Sequence, residues 1–269
     1  MPSIPDAEVW FDEYVRGHGH DPGQPEPDLG VVKNPDRLIT WNGNQLVCEI
    51  KQFTSSPFSR LLGTARVGAL NVSEVLNPVR RKVGRAAEQL KPLAGSGWPL
   101  VIVLADPIGV GVPLSTQEII WALYGDPVIR LTIPEEGVDG SHPPEHSVGR
   151  NSRLLRNHQY VSAVVALRRG SHRRDWQTAC WERLKVAQPN LDLTDFNAIA
   201  RLGDAVDQAE AAALANNEIE EGHYLCADVF TATSETAVAL PRNVFDGPRD
   251  TRWDYIAETE QYTRTRGNG

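Results

Sequence analysis

An Asn-Gly dipeptide at positions 42 and 43 separates two runs of strand-forming residues, 37–41 and 45–53. Asn-Gly is a preferred centre for a two-residue hairpin turn, because both residues accept the positive φ angles that this turn requires. The pattern therefore predicts an antiparallel hairpin in which Trp41 pairs with Asn44. Counting outward from that pair places Asp36 opposite Glu49 on the same face of the sheet.

The second run carries two charges inside an otherwise apolar strand. Side chains alternate across a strand, so Glu49 and Lys51 project to one face while Leu46, Cys48 and Ile50 project to the other. Buried charges are costly unless they are paired or bind an ion. Only five of the 27 Lys and Arg residues are lysine, and the compact ammonium at this position suits a catalytic amine.

Pro35-Asp36 before the turn and Glu49-Ile50-Lys51 after it resemble the PD-(D/E)xK signature of the restriction-endonuclease-like nuclease superfamily. The resemblance implies that Asp36, Glu49 and the carbonyl of Ile50 ligate Mg²⁺ or Mn²⁺, while Lys51 positions or deprotonates the attacking water. Phosphodiester hydrolysis builds negative charge on the phosphate, so oxygen ligands for a hard cation and a nearby ammonium suit this chemistry. The family analogy favours DNA over RNA.

A second Pro-Asp pair leaves an alternative for the first metal ligand, because Asp28 follows Pro27. Asp36 is preferred on the hairpin register. A strand starting at Asp28 would have to pass Gly30, Asn34 and Pro35, which are typical of turns, before it reached Glu49.

Two helices flank the predicted hairpin in the sequence. Residues 6–17 have an amphipathic helical pattern with Glu8 at the edge of the apolar face. The resemblance implies that Glu8 points into the metal site, although a first-turn glutamate also complements the helix dipole.

A later helix is predicted to open at Asn77-Pro78 and to run to about Lys91, with Lys82, Arg85 and Gln89 on one flank. The resemblance makes this flank a candidate for substrate binding. A solvated charged helix face is the alternative.

The order of elements predicts an α/β fold with a restriction-endonuclease-like core, in which a mixed central sheet is flanked by helices. Residues 100–106 form a continuous apolar run typical of a strand buried on both faces. Residues 115–124 are predicted as a helix, and residues 127–133 and 160–167 as strands that extend the sheet.

A shift in composition near Asp175 predicts a nuclease-like core over residues 1–174 and a helical and edge-strand extension over residues 175–269. Residues 195–221 are rich in alanine and acidic residues, with too little apolar bulk for a core of their own. This segment is expected to pack on the core, on a second copy of the chain or on a protein partner. Residues 224–231 are predicted as an edge strand, and a disordered tail is expected from about Gln261.

Charge and hydropathy limit the classes of function. A net charge of −8 and a pI near 5.4 argue against coating nucleic acid through bulk electrostatics, so a nuclease would need a local basic surface. No apolar run has the length of a membrane span, and the N-terminus lacks a signal-peptide pattern, so the expectation is a cytoplasmic protein without a membrane partner. Three cysteines without paired spacing predict reduced thiols.

The expected function is metal-dependent phosphodiester hydrolysis on nucleic acid. A non-catalytic nuclease-like module that binds nucleic acid or a protein partner is the alternative. A hydrolase of another phosphate ester would use the same ligands and stays open.

Overall fold

A computed structural model describes residues 6–54, 72–109, 114–125, 127–130, 145–148, 157–187, 194–220, 222–232, 234–256 and 261–267. Five α-helices in these ranges are α1 (Asp6–Gly17), α2 (Val72–Leu90), α3 (Thr116–Tyr124), α4 (His172–Ala187) and α5 (Phe196–Ala215). The strands are β1 (Arg37–Trp41), β2 (Asn44–Gln52), β3 (Leu100–Ala105), β4 (Pro127–Arg130), β5 (Glu145–Val148), β6 (Ala163–Ser171), β7 (His223–Ala232), β8 (Thr251–Ile256) and β9 (Gln261–Arg266). A short 3₁₀ helix, Lys91–Leu93, follows α2.

The central sheet has seven strands in the order β1-β2-β3-β6-β7-β8-β9. It is mixed, because β2, β3 and β6 run parallel while β1 and β9 pair antiparallel with their neighbours. The predicted α/β class with a mixed sheet is confirmed. β6 joins the sheet as expected, but β4 does not, because it pairs with β5 in a separate two-stranded sheet.

The β1–β2 hairpin has the predicted register. Trp41 pairs with Asn44, and Arg37 pairs with Cys48. The next position in this register places Asp36 opposite Glu49. The turn residues Asn42 and Gly43 have φ angles of 48° and 79°, as a turn with two left-handed residues requires.

Helices cover both faces of the hairpin. α1 packs on the face that carries Trp41, since Tyr14 stacks on that ring with centroids 5.9 Å apart. α2 and α3 pack on the opposite face, the one that carries Val47 and Phe53. Their shared core consists of buried aliphatic and aromatic side chains, among them Leu76, Val79, Val83, Leu90, Leu100, Ile102, Leu104, Ile119 and Leu123.

α2 begins at Val72 rather than at the predicted Asn77, and Pro78 lies inside it. A proline inside a helix removes one backbone hydrogen bond. The helix nevertheless continues through it because Leu76, in the turn before Pro78, is fully buried on the same apolar stripe as Val79 and Val83.

The chain divides into two compact units, one made of residues 1–168 and 226–269 and the other of residues 169–225. β7 lies between β6 and β8 in the central sheet, so the prediction of an edge strand at residues 224–231 is wrong. Gln261–Arg266 differ from the expected disordered tail, since they pair with β8 as strand β9. The sequence patterns did not predict β8, whose pairing with β7 and β9 depends on distant residues.

The second unit contains α4 and α5. Both Arg173 and Gln177 of α4 donate hydrogen bonds to the carboxylate of Glu210 on α5, and Asp195 caps the start of α5 by accepting from the amide of Asn197 at 2.9 Å. No helix in the described ranges combines the length and the apolarity that crossing a bilayer requires.

Candidate functional site

The hairpin register brings two carboxylates and a lysine together beside the sheet. Asp36 Oδ2 accepts a hydrogen bond from the amide of Ile50 at 2.6 Å and lies 4.0 Å from Lys51 Nζ. Lys51 Nζ also donates to Glu49 Oε1. The three charged residues that carry the PD-(D/E)xK resemblance are therefore neighbours in space as well as in sequence pattern.

Glu49 is fully buried in this cluster. Its second oxygen, Oε2, accepts a hydrogen bond at 2.6 Å from Nε2 of Gln89 on α2. Burial, and after it the negative charge of Asp36, raises the pKa of Glu49 to about 7, although Lys51 opposes the shift. A carboxyl group in this environment titrates near neutrality. We call Asp36, Glu49, Lys51 and Gln89 the Glu49 cluster.

A second lysine reaches the same cluster and was not predicted from the sequence. Lys33 Nζ donates to Gln89 Oε1, and Gln89 Nε2 also donates to the carbonyl of Asn34 at 3.1 Å. By binding Oε1 of Gln89, Lys33 orients the side-chain amide so that Nε2 of Gln89 faces Glu49. The sequence feature that could have identified Lys33 is its position, three residues before Asp36 in a chain with only five lysines. The residues around Lys33 are typical of a turn, however, and do not indicate a functional site.

Glu8 belongs to a neighbouring ion-pair network. Its Oε2 lies 2.9 Å from Nη1 of Arg37, whose Nε also donates to Asp12 at 3.1 Å. Burial raises the pKa of Glu8, Arg37 opposes this shift, and Asp36 adds to it. Glu8 is therefore close enough to Asp36 for their charges to interact, but its direct partner is Arg37, which alternation along β1 directs to the α1 face of the sheet.

Asp28, the alternative first metal ligand, is exposed, and it forms a hydrogen bond with a residue close to it in the sequence. Its Oδ1 accepts a hydrogen bond from the amide of Gly30 at 3.0 Å, closing a turn. The structure therefore brings Asp36, and not Asp28, beside Glu49 and Lys51.

Lys82 and Arg85, the other two predicted binding residues, lie next to the cluster on α2. They line a cavity of about 220 Å³ together with Phe53, Thr54 and Arg81. Burial lowers the pKa of Lys82, and the charges of Lys51 and Arg85 lower it further. Gln89, by contrast, contacts Glu49 rather than this cavity.

The carboxylate oxygens of the Glu49 cluster are ligands of the kind that a hard divalent cation prefers. A cation would also favour the charged form of Glu49, which burial disfavours. Over the ranges that the structure describes, however, no group of three or more His, Cys, Asp or Glu residues is arranged to hold a metal ion. The acidic groups of the cluster are thus two carboxylates, those of Asp36 and Glu49.

No protein-family model, curated protein or solved structure matches this chain. The function must therefore be inferred from the side chains of the site. These are a buried carboxylate that accepts hydrogen bonds from a lysine and a glutamine, and a second carboxylate opposite it on the hairpin.

Proposed function

We propose that this chain is a metal-dependent nuclease of the PD-(D/E)xK type, with a restriction-endonuclease-like core, that hydrolyses phosphodiester bonds in DNA in preference to RNA. The observation that carries the proposal is the convergence of Asp36, Glu49 and Lys51 through the register of one hairpin. A lone Glu-x-Lys triplet has little weight, but a second carboxylate brought to it by an independent strand meets the chemical needs of the reaction.

Asp36 and Glu49, with the carbonyl of Ile50, would hold Mg²⁺ or Mn²⁺. Such an ion, when bound, acts as a Lewis acid toward a phosphate oxygen and lowers the pKa of a water molecule. Glu49 must be ionised to serve as a ligand, and because its pKa is raised, it would have to lose its proton near neutral pH to hold the ion.

The protein's own groups supply position and charge. Lys51 Nζ, next to both carboxylates, orients the attacking water and offsets negative charge on the phosphate. Gln89 fixes Glu49 Oε2, and Lys33 fixes the amide of Gln89 in turn. Such supporting hydrogen bonds hold a reactive group in one geometry.

The test is cleavage of single- and double-stranded DNA and RNA in Mn²⁺, Mg²⁺ or EDTA. Wild type should cleave DNA only with metal, and Lys51→Ala and Asp36→Ala should each lower the rate by about 10²–10⁴-fold, as expected when a group acting in the transition state is removed. Asp28→Ala is the matched control, because Asp28 is also preceded by proline but is exposed, and it should retain full activity. Metal-dependent cleavage that survives in Lys51→Ala would contradict the proposal.

A non-catalytic nuclease-like module is the second candidate, favoured by one observation. Both oxygens of Glu49 already accept hydrogen bonds, from Lys51 and Gln89, as in a purely structural ion pair. Binding of Mn²⁺ separates the two, since a ligand that binds the folded state raises its stability. A nuclease should melt at a higher temperature with Mn²⁺, and Asp36→Ala should abolish the increase while Asp28→Ala keeps it. DNA binding without this increase and without cleavage would indicate the module.

A further inference from the structure

Three cations on α2 form a continuous row beside the Glu49 cluster. Arg81, Lys82 and Arg85 are spaced so that they share one side of the helix with Gln89, the residue that contacts Glu49. With a rise of about 1.5 Å per residue, Arg85 lies about 6 Å and Lys82 about 10 Å from Gln89 along the helix axis. We call Arg81, Lys82 and Arg85 the α2 cations.

The α2 cations differ from several basic residues of the same unit, because the described residues include no acidic partner for them. Lys51 pairs with Glu49, Arg37 with Glu8 and Arg168 with Asp228. Where the structure describes the chain, none of the α2 cations forms an ion pair.

Leaving the charge of Lys82 unbalanced is unfavourable for the protein alone. Lys82 is half-buried, and its neighbours Lys51 and Arg85 repel its charge. An unpaired charge that is partly removed from water costs free energy, and an anion would recover it. The overall charge of −8 makes the concentration of cations a local feature that bulk composition does not explain.

The cavity beside the row has the chemistry of a phosphate site. Its volume is about 220 Å³, and it presents two guanidinium groups, an ammonium and the hydroxyl-bearing Thr54. Arginine donates pairs of parallel hydrogen bonds to phosphate oxygens, and lysine adds a point charge. Phe53 is buried, so the cavity offers little exposed aromatic surface for stacking a base.

We infer that the α2 cations bind a second phosphate group of the nucleic acid, next to the one presented to Lys51. The inference rests on the proposed function for its substrate, because a strand that crosses the Glu49 cluster would bring an adjacent phosphate to the cavity. The group is either an internal phosphodiester or a terminal phosphate, which share the same oxygen acceptors. Its role is to hold the strand in register.

The salt dependence of DNA binding tests this site without any cleavage. Binding of a fluorescent DNA duplex would be measured by anisotropy in EDTA over a series of salt concentrations. Each cation that neutralises a phosphate contributes about 0.9 to the magnitude of the slope of log K against log[salt]. The double variant Arg81→Ala/Arg85→Ala should therefore bind more weakly at low salt, and its slope should be smaller in magnitude by about 2.

The matched control is Arg183→Ala/Arg201→Ala. These two arginines are also exposed on helices, but they lie in the other compact unit, and their removal changes the net charge equally. The control should keep the wild-type slope. Equal slopes in both double variants, or no binding of duplex by wild type, would overturn the inference.

Duplexes with 5′-phosphate and 5′-hydroxyl ends distinguish the two sources of phosphate. A decrease in slope that is the same for both ends identifies an internal phosphodiester. A preference for phosphorylated ends that disappears in Arg81→Ala/Arg85→Ala identifies a terminal phosphate. The same experiments test the phosphate site and the proposed catalysis separately. A smaller slope in Arg81→Ala/Arg85→Ala without Mn²⁺-dependent cleavage by wild type would support the phosphate site and reject the nuclease. Cleavage by wild type with an unchanged slope in the double variant would support the nuclease and reject the phosphate site.

Discussion

Glu49 is a carboxyl group whose ionisation opposes folding. Its pKa in the folded protein is about 7 against an ordinary value of 4.5, chiefly because it is buried. The folded state therefore binds a proton more tightly than the unfolded chain does between these values. The contribution of Glu49 to stability should fall as the pH rises from about 4.5 to about 7 and then level off.

Glu49→Gln is expected to remove this titration. The stability of wild type relative to Glu49→Gln should decrease by roughly 3 kcal/mol as the pH rises through that window, since one pKa unit corresponds to about 1.4 kcal/mol. Urea unfolding at a series of pH values measures the difference, and groups common to both proteins cancel. Parallel stability curves for the two proteins would mean that Glu49 titrates normally.

Individual residues of the site were predictable to different extents. Asp36, Glu49 and Lys51 follow from alternation and turn geometry, which are local rules. Gln89 was placed on the right helix, but its contact with Glu49 depends on how α2 docks on the sheet. Lys33 and Arg37 were missed because their roles depend on partners that come together only in the folded chain.

The β1–β2 hairpin is the element on which the site depends, and its turn can be tested directly. Gly43 has a φ of 79°, with open space where a Cβ would lie. Gly43→Ala should therefore destabilise the protein by about 1–2 kcal/mol through backbone strain alone. Gly17→Ala is the control, because Gly17 also has open space but no positive φ, and it should be neutral or slightly stabilising. Thermal or urea unfolding of both variants measures the contrast, and equal stabilities would contradict the strained turn.

Elements with a local signature were predicted well. α1 was predicted from an amphipathic pattern, β1 from a strand-forming run before a turn, and β3 from a continuous apolar run, and all three lie where the sequence placed them. The failures share one cause, which is pairing between distant segments. β4 pairs with β5 rather than with the main sheet, and β7 is internal because β8 covers its outer edge. Neither choice of partner is encoded in the local pattern of the strand.

At the scale of the whole first unit, the last strands of the chain are tied to its first helix. Asp250 is buried, and its carboxylate accepts hydrogen bonds from the amides of Ala227 and Gly247 at 2.7 and 2.8 Å. It also accepts one at 2.5 Å from the hydroxyl of Tyr14, 236 residues away in sequence. No composition or periodicity predicts so long a connection, and residues 226–269 were for that reason assigned to an extension.

The connection predicts how the first unit responds to mutation. Asp250→Ala would leave two buried amides and a buried hydroxyl without their acceptor, at a cost of about 3–5 kcal/mol. Tyr14→Phe removes one of these bonds and should cost about 1–2 kcal/mol. Burial and Asp250 raise the pKa of Tyr14 well above its ordinary value, so the hydroxyl stays a donor near neutral pH.

Asp246→Ala is the matched control, since Asp246 lies in the same loop, is partly exposed and should change stability by less than about 0.5 kcal/mol. Urea unfolding ranks the three variants. If Asp250→Ala were no less stable than Asp246→Ala, the C-terminal strands would not be part of the cooperative unit that contains α1. The expected ranking would instead mean that the hairpin carrying Glu49 and Lys51 is held from both ends of the chain, so that truncating the C-terminal strands should unfold the candidate site as well.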